Sequence, residues 1–142
     1  MTKRFVMNFM PSNQRKSLPK PTDAELAILN VFWQSGPSTV REVLARLQES
    51  RSPDIGYTTV LKLMQIMTDK GLLDRDSTQR PQVYTALVSQ DETQQNFVSE
   101  LLNKAFGGSA KRLVMQVLAS KEASDEDLAE VEQLLDRLEK EK

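Results

Sequence analysis

The sequence predicts a mainly α-helical protein with one small β-hairpin: a head of three helices and a hairpin, followed by three further helices. Three observations lead there. Apolar residues recur at three- and four-residue spacing in six stretches, the signature of helices with one buried face. Between about residues 72 and 87 the period changes to two around a turn-rich segment, as in paired strands. Ser, Thr or Gly stands at many of the helix ends, where caps and stops are expected.

The 142 residues suffice for one ordinary core, or for a compact head with a helical appendage that completes its packing against another copy. With 39% hydrophobic and 27% charged residues, the chain has the composition of a folded protein. It contains no Cys and no His. Disulfides, thiolate metal sites, cysteine nucleophiles and the usual general base are therefore excluded, and the chain is read as not an enzyme, with no cofactor. No apolar run approaches the ~20 residues that cross a bilayer, so no membrane contact and a cytoplasmic location are expected.

The net charge of −1 conceals an asymmetry. Residues 1–88 carry 12 Lys/Arg against 8 Asp/Glu, a net +4, and residues 89–142 carry 7 against 12, a net −5. A basic front and an acidic rear imply different tasks, the front suited to a polyanion.

Residues 1–21 hold five basic and no acidic side chains together with Pro11, Pro19 and Pro21, and read as a flexible basic arm. Thr22 with Glu25 makes a capping box for the first helix. Its stripe of Leu26, Ile28, Leu29, Val31, Phe32 and Trp33 is core-forming, and Gly36-Pro37 ends it. Ser38 is the expected cap of a second helix carrying Val40, Val43, Leu44 and Leu47, with Arg41 and Arg46 on other faces. A third helix is expected over about 56–70, burying Val60, Leu63, Met64 and Met67 and stopping at Gly71. A strand beginning at Leu72, a turn over 76–81 and a strand over 82–87 complete the head. Helix, helix, helix, hairpin is the order of a winged helix, here residues 22–88.

Residues 89–142 return to helix. Ser89 with Glu92 caps the first, Gly107-Gly108 stops it, a shorter helix follows over about 110–118, and Ser124 caps the last. Such helices have little to bury against alone, so the segment is expected to pair with a second copy through Phe97, Leu101, Phe106, Leu113, Val117, Leu128, Val131 and Leu135.

In a helix-turn-helix the second helix of the pair presents its N-terminal residues to base edges in the major groove, which calls for small polar side chains in front and apolar ones behind. Gly56-Tyr57-Thr58-Thr59-Val60-Leu61-Lys62 meets that requirement. Thr58 and Thr59 are expected to hydrogen-bond bases or phosphates or to set a methyl against thymine. Tyr57 is expected to reach a phosphate, and Lys62 a phosphate or a guanine. Arg41 at the start of the second helix and Arg80 in the hairpin are the expected flanking contacts to double-stranded DNA, with Arg75 weaker.

Thr22-Asp23-Ala24-Glu25-Leu26 with Trp33, then Gly56-Tyr57-Thr58-Thr59-Val60, Asp69-Lys70-Gly71-Leu72-Leu73, Tyr84 and Phe106-Gly107-Gly108-Ser109 together resemble the penicillinase repressor family (BlaI/MecI/CopY type) over about residues 20–140. The resemblance implies a homodimeric repressor whose heads bind a dyad-symmetric operator, with the rear helices as the dimer interface. It also implies an inducing partner: a membrane-bound sensor protease leads to cleavage of some relatives at an Asn-Phe bond in the rear region. Aligned through Phe106-Gly107-Gly108, that bond falls here on Gln116-Val117, and Asn96-Phe97 lies in the preceding helix. The inducer of this chain is thus left open between a sensor protease and another signal. Without cysteine, the thiolate copper sensing of one family branch is excluded. Ile66 stands where many relatives carry arginine. A winged-helix module that binds a protein partner instead of DNA is the alternative reading of the same residues.

Overall fold

The computed structural model describes residues 19–50, 52–120 and 124–140. Its elements are α1 (Asp23–Ser35), α2 (Val40–Glu49), α3 (Tyr57–Lys70), β1 (Leu73–Asp76), β2 (Val83–Ala86), α4 (Gln90–Ala105), α5 (Ala110–Ala119) and α6 (Asp125–Lys140). This is the expected mainly helical winged helix, followed in the chain by three helices. The basic arm expected over 1–21 lies outside the described residues up to Leu18. Two compact units divide between Asn96 and Phe97.

The first unit owes its helix ends to local chemistry. At α1 the Glu25 amide donates to Thr22 Oγ1 at 3.2 Å and the Thr22 amide to Glu25 Oε1 at 2.9 Å, the reciprocal box expected there. Gly36 stops the helix, its N–H reaching Phe32 O at 2.8 Å. The cap of α2 is a correction: it is Thr39, not Ser38, and its box with Glu42 closes at 3.2 and 2.8 Å. Ser38 is buried and belongs to the sheet, exchanging backbone bonds of 3.0 and 2.9 Å with Tyr84. Both residues have a hydroxyl suited to capping. The bridge to a strand 46 positions later decides between them, and no short-range pattern reveals it.

Val60, Met64 and Met67 of α3 are fully buried and Leu63 partly so. Gly71 takes the left-handed cap conformation (φ 86°, ψ 14°), which a side chain resists, and turns the chain directly into Leu72 and β1. β1 and β2 pair antiparallel with Leu73 opposite Ala86 and Arg75 opposite Tyr84. One core joins these elements: Ile28, Leu29, Val31 and Phe32 of α1, Val40, Val43 and Leu47 of α2, the three α3 residues, and Leu72, Leu73 and Tyr84. Trp33 is half-buried at its margin, and its indole N–H donates to Val88 O at 3.0 Å. Among the described residues, Glu25, Ser38 and Thr93 are the buried polar ones, and each buried side-chain N or O has a partner.

The α4 start is held by Ser89, whose hydroxyl accepts the Glu92 amide at 3.0 Å and donates to the Glu92 carboxylate at 2.9 Å. In the second unit, Gly107 and Gly108 (φ 56° and 82°) reverse the chain after α4, with Gly108 N–H bonded to Leu102 O at 2.9 Å. Ser109 caps α5 and Ser124 caps α6 through Arg112 and Asp127 amides. No described residue from Phe97 onward is buried.

Candidate nucleic-acid interface

The interface begins with the way α3 is packed. Burying Val60, Met64 and Met67 at spacings of four and three fixes its rotation, because residues on one face of a helix recur every third or fourth position. Thr58, Thr59, Lys62, Gln65, Ile66 and Asp69 are thereby turned to solvent, with Tyr57 at the leading end. From Gly56 to Ile66 this surface holds no acidic residue. The N-cap, Gly56, has no side chain to offer, so the first amides of α3 receive no side-chain cap, unlike those of α1, α2 and α5. Those amides carry the positive end of the helix dipole.

The sequence-predicted residues fall into two groups. Tyr57, Thr58, Thr59 and Lys62 share the exposed leading part of α3, and the structure brings Arg41 of α2 to them, its guanidinium carbon 4.9 Å from the centre of the Tyr57 ring. Arg80 stands exposed on a separate element, the connection between β1 and β2. That connection is ordered by Asp76, whose carboxylate accepts from Thr78 Oγ1 at 2.6 Å, Thr78 N at 3.0 Å and Gln79 Nε2 at 3.0 Å. The Thr78 hydroxyl above all, then Gln79 and the Thr78 amide, holds the Asp76 pKa below its ordinary 3.8.

Sequence reasoning missed a partly buried ion pair that ties α1 to the far end of α3. Lys70 Nζ lies 2.6 Å from Glu25 Oε1 and also donates to Lys20 O at 3.2 Å. The Glu25 side chain is 3% exposed and that of Lys70 32%. Burial pushes the Glu25 pKa up, but the bonds from Lys70 and Thr22 outweigh it and leave the pKa below the ordinary 4.5. Glu25 was legible as a cap; its second partner, 45 residues away, left no signal in the sequence.

The residues expected at a subunit interface lie in the second unit. Phe97, Phe106, Leu113, Leu128 and Val131 are half-buried, whereas Leu101, Val117 and Leu135 are exposed. Val98, Val114, Met115, Leu134 and Leu138 add to the exposed apolar surface. Among the described residues no helix is long and apolar enough to cross a membrane, and no acidic cluster could hold a metal ion.

A family model described as penicillinase repressor matches residues 21–137. The chain is similar to the penicillinase repressor of Bacillus licheniformis, 27% identical over 123 residues that cover 85% of this chain and 93% of that one. It is 20% identical to the penicillinase repressor of Staphylococcus aureus, over 82% of this chain and 91% of that one. With the methicillin resistance regulatory protein MecI of Mammaliicoccus sciuri it shares 21% identity, over 82% and 93%. Its similarity to a solved MarR family protein from Bacillus stearothermophilus is weaker, at a TM-score of 0.46 and 20% identity over 99% of this chain and 89% of that one. The fold assignment accordingly rests on the element order and on the family model.

Proposed function

The chain belongs to the penicillinase repressor family, and from that premise we propose that it is a homodimeric, DNA-binding transcriptional repressor whose two winged heads bind the half-sites of a dyad-symmetric operator. The observation that carries this reading is the leading face of α3: exposed, hydroxylic and basic, free of carboxylates through Ile66, and backed by a closed core. Thr58, Thr59 and Lys62 read the major groove, Arg41 meets the backbone with the Tyr57 ring supporting it, and Arg80 contacts the duplex from the hairpin. Residues 22–88 act as the DNA-binding head and 89–142 as the dimerisation region, through Phe97, Leu101, Phe106, Leu113, Val117, Leu128, Val131 and Leu135. That assignment is supported by α5 and α6, which bury no residue of their own and expose Val114, Met115, Val117, Leu134, Leu135 and Leu138. Such a surface gains by burial against a second copy.

Fluorescence anisotropy with the duplex upstream of the chain's own gene, beside a scrambled duplex, tests the proposal. A preference of about 10³-fold or more that weakens with salt is expected of an autoregulating repressor. Equal affinity for both duplexes, repeated with sites selected from a random pool, would overturn specific recognition in favour of a protein-binding module. Thr58→Ala and Lys62→Ala should each lower specific affinity and leave the dimer intact in sedimentation.

A further inference from the structure

We propose that Arg41 and Tyr57 work as a single phosphate-binding unit at the edge of the α3 surface, with Arg41 the group that grips the phosphate and Tyr57 a positioning residue that holds it ready. The proposal rests on the DNA-binding reading above and adds to it a division of labour between two residues 16 positions apart.

Arg41 is the second residue of α2 and Tyr57 the first of α3, so the two helix starts bring them together. At 4.9 Å from the ring centre, the Arg41 guanidinium is within the ~6 Å range of a cation–π contact. A cation–π contact offers the guanidinium no oxygen or nitrogen acceptor, so its five N–H donors are left for oxygen acceptors. Among the described residues no carboxylate pairs with Arg41. The adjacent Glu42 turns back to accept the Thr39 amide at 2.8 Å. Arg41 is therefore ordered by an aromatic face and retains its donors for an anion outside the protein.

Ordering matters because a free arginine side chain loses rotamer freedom when it binds, and a ring that restrains it beforehand reduces that loss. The planar fork then matches two oxygens of one phosphate. The Tyr57 hydroxyl is dispensable in this arrangement, and the ring is not.

The test needs no operator, because phosphate contacts operate on any sequence. The full-length protein and its variants are titrated against a 20-base-pair duplex of arbitrary sequence between 50 and 200 mM salt, with circular dichroism to verify the fold. Both side chains are exposed, so the substitutions spare the core. Arg41→Ala should weaken binding about tenfold per head and reduce the salt slope by about 0.9 per head. Tyr57→Leu should weaken it about two- to fivefold, Tyr57→Phe should stay within about twofold of the parent, and the double variant should bind like Arg41→Ala alone. Three results would overturn the unit: Tyr57→Phe losing as much as Tyr57→Leu, additive losses in the double variant, or an unchanged slope in Arg41→Ala. Failure of the parent protein to bind any duplex at 50 mM salt would instead overturn the DNA-binding reading, and the phosphate unit with it.

Discussion

Leu29 in the head and Leu135 in the last helix are both leucines on amphipathic helices, yet one is completely enclosed and the other is 48% exposed. The difference extends to their whole units. Up to Asn96 three helices and a hairpin enclose a core of thirteen hydrophobic side chains among the described residues, whereas from Phe97 onward no described residue is buried. Helix periodicity is equally clear in both regions, so amphipathicity shows that a face must be covered without showing by what. In the head the cover is the rest of the head. For the rear helices we assign it to a second copy, which makes the protein's assembly and its DNA binding parts of one problem.

The contrast is broken most severely by cutting the chain after Asn96. The cut keeps the Ser89 cap and buried Thr93 with the head, and the expected product is a folded monomer with much weaker operator binding, since one head makes half the contacts. A dimeric fragment in sedimentation would refute the division of roles. Leu29→Ala comes next, with an expected loss of ~2–5 kcal/mol from the cavity it leaves, read by urea unfolding. Leu135→Ala should instead raise the dimer dissociation constant and leave the unfolding of the head in place.

Glu25→Gln probes the head alone. Replacing the buried carboxylate weakens its bonds to Lys70 and Thr22, at ~1–3 kcal/mol. Because the folded pKa of Glu25 is depressed, its contribution is fully present above the unfolded value near the ordinary 4.5 and is lost as pH falls through the lower folded value. Unfolding midpoints of parent and variant should therefore differ at pH 6 and converge in the acid range; a constant difference would show that the ionised carboxylate contributes nothing. The smallest effect belongs to Asp76→Ala. It frees an exposed turn, and should speed amide exchange at Thr78 with no change in the unfolding midpoint.

Much of this molecule was legible because its instructions are local. Thr22 with Glu25, Ser89 with Glu92, and the stops at Gly36, Gly71 and Gly107-Gly108 act over three to six residues, within the reach of a pattern. The polar front of α3 followed from knowing which of its residues must be buried. Ser38 marks where that logic fails. Its hydroxyl promised a cap, but the adjacent Thr39 made it, because Tyr84 claimed the Ser38 backbone.

Readable among neighbouring residues were the helices and all their ends but the start of α2, the hairpin, and the basic, hydroxylic front of α3, because side-chain spacing and i to i+3 hydrogen bonds are encoded locally. That Ser38 joins Tyr84, Trp33 bonds Val88, Lys70 closes on Glu25 and Arg41 rests against Tyr57 emerges from the folded chain alone. These partners stand 16 to 55 residues apart, and the free energy that brings them together comes from packing the whole core around them.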